Sequence, residues 1–396
     1  MSSVAFYTAF ASAAAILFSI AVSNILMALS LAALLLSGDK LRMPPIKLPL
    51  ALFLLGTVLS LALSDSPWDG RVQIRKFWVF LILLVIYSTF RNARQVRWLF
   101  LTFAVLGTGS ALRALSQLAW QLKDCAGSYG CLIGERITGF MSHWMTFGGQ
   151  AMIVLLLLSA FLFWAEPPRK PLFAWAVCGT IIAAAIFAGG TRSIWLATAV
   201  AGSYLLYCWK RWVVLIGPVV IAIALLAAPT FLKQRFTSAW KPQGELDSNA
   251  HRRVSWRTGF RMIQAHPVFG IGPEHVKLQF KQYMPPDVTR LPDGYYGHLH
   301  NIYLDIAAER GIPTLLVFLW MLGVMLRDFA KALRRQPPGP GDTKFILQGA
   351  IAVVLAILIG GIFEKNLGDT EVLVLFLATI SCAYVAICHE PDTQRA

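Results

Sequence analysis

The sequence predicts an all-α integral membrane protein of about 12 transmembrane helices, with one large extramembrane segment between helices 9 and 10. Three observations carry this. The 396 residues are 57% hydrophobic and only 14% charged, whereas soluble domains carry about a quarter charged residues. Mean hydropathy is +0.62, and the apolar residues gather in runs long enough to cross a bilayer, which takes about 20 residues. The chain nevertheless carries a formal charge of +15, from 35 Lys and Arg against 20 Asp and Glu. Lipid-facing surface has no use for these cations, so their placement bears on function.

The apolar runs lie at about 4–21, 24–38, 46–63, 77–90, 98–119, 143–164, 172–189, 193–208, 213–228, 313–329, 345–362 and 372–388. The first two form one stretch, divided by a turn expected at Ser23 and Asn24. The amino terminus has neither a basic region nor a small-residue cleavage site, so residues 1–38 read as retained helices. Three parts follow: residues 1–228 with helices 1–9, residues 229–312 as the large segment, and residues 313–396 with helices 10–12 and a tail.

Orientation follows from Lys and Arg in short loops, which favour the cytoplasm. Lys40, Arg42 and Lys47, then Arg91, Arg94 and Arg97, Arg169 and Lys170, Lys210 and Arg211, the group Arg327 to Lys344, and Arg395 fall on one side. Both termini are expected there. Of the other cations, Arg113 lies inside a span, seven lie in short outer loops, and 11 lie in the long segment, beside seven acids that include Glu245, Asp247 and Asp293. Cys125 and Cys131, six positions apart in an outer loop, suit a disulfide in an oxidising compartment. Cys178, Cys208, Cys382 and Cys388 read as small apolar residues.

Within the long segment, Asp247, Ser248 and Asn249 are capping candidates for a helix ending before His266 and Pro267. On it Arg253, Arg257 and Arg261 recur every four residues as one stripe, and Trp256, Phe260 and Ile263 form an apolar counterpart. His298 and His300 lead into a further helix, starting near Leu299 to Asn301, whose free N–H groups would favour an anion. Two His at i and i+2 have no third ligand at a recognisable spacing, so no metal or cofactor is expected. Arg136 and Arg192 stand at outer ends of spans. As single residues they read equally as a loop ion pair with Glu135 and a snorkelling anchor, and Glu364, Asp369 and Glu371 as solvated loop charge.

Together these residues suit a lipid diphosphate. Planar guanidinium forks bind phosphate oxygens in pairs and stay charged, and no DxD sequence offers a metal-held alternative. A neutral imidazole can take the proton of an attacking sugar hydroxyl. Trp144, Trp240, Trp256, Tyr295 and Tyr296 offer faces for sugar rings or belong to an interfacial belt. Nothing points to nucleic acid.

Four motifs then carry a resemblance: Arg136 to Phe140 (RITGF), Thr191 to Trp195 (TRSIW), the basic helix followed by His266 to Gly272 (HPVFGIG), and His298 to Pro313 with its HNIYL and ERGIP elements. In this order the chain resembles the bacterial O-antigen ligase (lipid A core:O-antigen ligase) and polymerase superfamily. The resemblance implies a multi-pass enzyme of the bacterial inner membrane with a periplasmic active site. It would move a glycan from undecaprenyl diphosphate to an acceptor sugar, without metal and with inversion. For the ligase branch the acceptor is lipid A core oligosaccharide. It further implies His300 as general base, His298 as its support or an acceptor-binding group, and Arg136, Arg192, Arg252 and Arg253 as the diphosphate clamp, with Arg257 and Arg261 secondary; the motif arginine is either Arg252 or Arg253. An O-antigen polymerase, which extends a second lipid-linked glycan, fits the same motifs. A transporter of anionic substrate fits the span count but predicts related halves, and no such repeat stands out.

Overall fold

The computed structural model describes residues 2–126, 128–165, 169–241, 248–292 and 294–388. Asp247, Glu245, Asp293 and Arg395 lie outside the described residues, as do the side chains of Arg169 and Lys170. Among the described residues the fold is helical without strands. Its helices are α1 (Ser2–Ala15), α2 (Ile20–Leu36), α3 (Lys47–Ala62), α4 (Pro67–Thr89), α5 (Ala93–Asp124), α6 (Tyr129–Gly134), α7 (Trp144–Trp164), α8 (Arg169–Ala188), α9 (Arg192–Trp209) and α10 (Arg211–Ala227). The long segment adds α11 (Thr230–Thr237), α12 (Ser248–Ala265) and α13 (Val276–Tyr283), and α14 (Ile302–Arg334), α15 (Asp342–Gly361) and α16 (Thr370–Cys388) complete the chain.

Each expected span falls on a helix, but length and apolarity divide them. Seven helices, α4, α5, α7, α8, α14, α15 and α16, are long and apolar enough to cross a membrane by themselves. The chain is thus a multi-pass membrane protein. The first pair shows why the others fall short. Its break comes earlier than expected, at residues 16–19, with Ser19 capping α2, and α1 has only 14 residues, about 21 Å of helix. The turn ends inside the bundle, where Gln150 of α7 donates to the Ile16 carbonyl at 2.9 Å. Ser12 and Ser23 each donate to the other's carbonyl at 2.8 and 2.9 Å. A short hairpin is tolerated at such depth only because protein groups satisfy its freed backbone.

The central helices α7, α15 and α16 are the most buried of the seven. They pack on one another and on α9, α5 and α4 around the main apolar core. The carboxy-terminal ends of α2, α4, α7 and α14 gather at one end, tied by Arg42 N–H to Ser88 Oγ at 2.8 Å, by Arg97 to Asp342 at 3.2 Å and by the Gly341 N–H to the Trp164 carbonyl at 2.7 Å. The opposite end carries α6 and α11 to α13. A second apolar cluster there, including Val254, Met262, Val276, Phe280, Leu299 and Ala308, seats α12 and α13 on the start of α14.

The HPVFGIG and ERGIP motifs are the seam of that attachment. The N–H groups of Ile271 and Gly272 donate to the carbonyls of Ala308 and Glu309 at 2.9 and 3.0 Å, and Ile312 N–H donates to the Pro267 carbonyl at 2.8 Å. This is possible because Gly311 (φ 82°, ψ 164°) breaks the helical path within α14, just before Pro313. That backbone region is essentially confined to glycine, and a Cβ on Gly311 would meet the Val268 carbonyl. Gly311→Ala is therefore expected to destabilise the protein by about 1–3 kcal/mol or more, read as a lowered Tm in detergent and loss of transfer activity.

Candidate active site

The end carrying α12 gathers a compact polar centre around the turn after α15. Glu364 lies in that turn with its side chain 12% exposed. One carboxylate oxygen, Oε1, accepts from Arg252 Nη2 at 2.7 Å, and the other, Oε2, stands 3.1 Å from His300 Nδ1. Arg252 also donates from Nε to the Phe363 carbonyl at 3.2 Å. Glu364 is thus a buried bridge between the basic helix and the histidine motif, which corrects its reading as a solvated loop charge. Burial raises its pKa, but the hydrogen bond to His300 and the charges of His300 and Arg252 outweigh that and hold it at about 2.

The turn itself is shaped by the HNIYL element. Asn301 caps α14, its Oδ1 accepting from the N–H groups of Tyr303 and Leu304 at 2.9 and 3.0 Å, while its amide donates to the Ile362 carbonyl at 2.9 Å. Asp305 accepts from Leu299 N–H at 3.2 Å. The helix therefore starts at Ile302, and its first N–H groups are occupied by its own side chains, which corrects the expectation of a helix-end anion site. His300, immediately before the cap, adopts φ 50°, an uncommon conformation for a residue with a side chain.

Three imidazoles cluster here. The His298 and His300 ring centroids are 4.1 Å apart and those of His251 and His300 4.7 Å. His298 Nδ1 accepts from the His300 backbone N–H at 3.2 Å. Burial, reinforced by His300, lowers His298 to about 3 and His251 to about 4, so both are neutral near pH 7. His300 Nε2 faces the Tyr295 carbonyl at 3.1 Å. Nδ1 faces a carboxylate and Nε2 a carbonyl, and both oxygens only accept, so Nε2 becomes the nitrogen that can take a hydroxyl proton once Tyr295 yields and Nε2 stands without its own proton.

The arginines separate into two groups. Arg252 points inward, whereas Arg253, Arg257 and Arg261 lie on the exposed face of α12. Arg257 forms a forked pair with Asp287 at 2.6 and 2.8 Å, and Arg261 donates to the Met284 carbonyl at 2.9 Å. Phe260, expected on an apolar side, is 54% exposed. Arg136 lies inward. It donates to the Ile133 carbonyl at 3.1 Å and rests over Trp144, 4.9 Å from the ring centroid. Burial and then the neighbouring Arg235 charge lower its pKa to about 9. Arg235, which sequence reasoning counted only among the segment's cations, is 6% exposed and donates to the Gly190 carbonyl at 2.9 Å. A small apolar cluster of Leu132, Phe231 and Leu232 with Cys125 brings these two arginines together, beside the Cys125–Cys131 disulfide.

Arg192 acts between elements. From the first turn of α9 it donates to Ser248 Oγ at 2.6 Å and Asn249 Oδ1 at 2.9 Å, and to Ser238 Oγ at 3.3 Å. Ser248 and Asn249, expected to cap α12, instead anchor its start to α9. Of the aromatics, Trp240 and Tyr295 are exposed, and Tyr296 packs on Phe280 and His251.

His298, His300 and Glu364 have ligand atoms within 4.8 Å of one another. Glu364 is thus the third potential ligand that spacing did not reveal. The fit to a dication is poor: one carboxylate oxygen is taken by Arg252, and His298 Nδ1 is occupied by a backbone N–H. A guanidinium in that position favours an anion instead.

Residues 177–319 match the family model described as O-antigen ligase. The match supports the O-antigen ligase and polymerase superfamily, and with it a membrane glycosyltransferase of the ligase or polymerase type. It spans Arg192, Arg235, Arg252, His298 and His300, while Arg136 and Glu364 lie outside it. No curated protein matches the chain.

Proposed function

We propose that this chain is an O-antigen ligase of the bacterial inner membrane. It moves the glycan of an undecaprenyl-diphosphate-linked O-antigen to lipid A core oligosaccharide at the periplasmic face, both termini being cytoplasmic. The observation that carries the reading is the Arg252–Glu364–His300 bridge, because it joins an anion-binding guanidinium to an oriented base.

In this mechanism the acceptor hydroxyl displaces the Tyr295 carbonyl from His300 Nε2 and attacks the anomeric carbon. The new carbon–oxygen bond forms as the bond to the diphosphate oxygen breaks. The hydroxyl proton passes to Nε2, and Glu364 stabilises the imidazolium through Nδ1. The electron pair leaves with the diphosphate, whose growing charge is met by Arg252, Arg136 and Arg235. His298, neutral and behind His300, supports the ring. Arg192 holds α12 in place, and Arg253, Arg257 and Arg261, on the exposed face, make only peripheral contacts with the outer parts of the glycan or with lipid head groups. Attack opposite the leaving group inverts the anomeric centre.

Reconstitution in nanodiscs tests this with lipid-linked glycan as donor, either lipid A core or a second lipid-linked glycan as acceptor, and EDTA throughout. Product on lipid A core at an undiminished rate in EDTA is the expected result. Chain extension on the lipid carrier alone assigns the polymerase reaction instead. Activity lost in EDTA and restored by a divalent cation overturns the metal-free mechanism and returns attention to His298, His300 and Glu364.

A further inference from the structure

A second cluster of charge lies on the other side of the same turn. Glu364 faces His300, but its neighbour Lys365 faces away, 3.7 Å from Asp305 and 3.4 Å from Glu309. Arg310 lies 3.9 Å from Glu309, and Lys76 lies 3.8 Å from Glu274. Short charge-assisted bonds run at about 2.7–2.9 Å, so these cations lean on their carboxylates without being consumed by them. Arg310 is 5% exposed, and its Nε has no hydrogen-bond partner. An orphaned guanidinium N–H at that depth costs free energy unless something arrives to accept from it.

These three cations line one small cavity, open at its mouth, with about 60 Å³ of free space. Lys76, Arg310 and Lys365 are among its lining residues, and no carboxylate is. The remaining wall is almost wholly apolar, including Phe53 of α3, Phe318 and Met321 of α14, and Phe376 and Leu377 of α16. One end therefore offers donors to an anion and the other a hydrocarbon surface.

We infer that this cavity binds an anionic amphiphile, with a phosphate-type head at Lys76, Arg310 and Lys365 and an apolar chain along α14 and α16. On the ligase reading it is the seat of the second lipid-linked substrate. Transfer between two lipid-borne partners needs two amphiphile sites meeting at one base, and residues 364 and 365 are the shared wall. The guanidinium group at Arg136, Arg235 and Arg252 takes the diphosphate from one side, and this cavity holds the other lipid.

Photolabelling in phosphatidylcholine nanodiscs tests the site without turnover. The probe is geranylgeranyl phosphate carrying a benzophenone on its chain, and labelled peptides are mapped by mass spectrometry. Labelling is expected on the peptides containing Phe318 to Met321 and Leu373 to Leu377. Unlabelled geranylgeranyl phosphate competes at least about tenfold better than geranylgeraniol, a difference of about 1.4 kcal/mol, and inorganic phosphate does not compete. Met321→Trp and Leu373→Trp, which fill the cavity with apolar bulk, abolish labelling of these peptides. Arg310→Gln abolishes the preference for the phosphorylated chain; if that variant does not fold, the two tryptophan variants decide. The inference is overturned by labelling that persists in both tryptophan variants or is absent from these peptides in the native chain. Equal competition by geranylgeraniol or displacement by inorganic phosphate overturns it too. Labelling without transfer to any acceptor leaves the cavity standing and removes the ligase reading.

Discussion

His300→Ala lowers kcat for glycan transfer about 10²–10⁴-fold, the contribution of a positioned general base. Donor binding is expected to persist, because the guanidinium groups are untouched, so KM for the lipid-linked glycan changes little. Glu364→Gln gives the more diagnostic result. The amide keeps the size of the side chain but presents an N–H group or a weaker acceptor to His300 Nδ1, so the imidazolium loses its stabilising partner. A loss of about 10²-fold or more in kcat is expected, with a protein that still folds. Full activity in either variant removes the general-base assignment. The carboxylate also gives stability a pH dependence. Its folded-state pKa is depressed to about 2 from an ordinary 4.5. The stabilisation is therefore present above about pH 4.5, decays as the pH falls and is lost below about 2. Glu364→Gln flattens that part of an acid-denaturation curve.

Arg252→Ala and Arg253→Ala, one residue apart, have very different outcomes. Removing Arg252 deletes a donor from the proposed diphosphate site and leaves Glu364 buried beside His300 without its guanidinium. A fall of about 10²–10³-fold in kcat/KM is expected, the magnitude found when one preorganised donor to a developing anion is lost. Breaking a buried pair adds a stability loss of about 3–5 kcal/mol, visible as a lowered Tm in detergent. Arg252→Lys keeps the charge without the fork that reaches both Glu364 Oε1 and the Phe363 carbonyl, so it recovers only part of the activity. Arg253 lies on the exposed face, and its replacement changes activity by no more than about twofold, as for a surface position. Equal losses in the two variants overturn the inward assignment of Arg252.

The contrast between these neighbours marks the boundary between sequence and structure. Periodicity correctly places Arg253, Arg257 and Arg261 on one stripe of α12, because a helix repeats every 3.6 residues whatever surrounds it. Which side of that helix is buried depends on what covers it, and here the second apolar cluster under α12 covers the side bearing His251, Val254 and Met262. The regularly spaced arginines are thereby the solvated ones, and Arg252, outside the repeat, reaches the centre.

Pattern along the chain was enough for the membrane class, for most of the apolar helices and for the helix over 248–265. All of these depend on local pattern: run length, residue period, and the glycine and proline that end or break a helix. It identified the HPVFGIG and ERGIP motifs without their purpose, which is a backbone seam between distant segments. Packing alone makes Glu364 join Arg252 to His300, sets Arg235 beside Arg136, and turns Lys365 toward Asp305 and Glu309. In each case the partners are brought together by the burial of apolar side chains elsewhere. A charge 64 positions from its histidine has no spacing to reveal it, since its pKa and its neighbours exist only once α15 and α14 have packed.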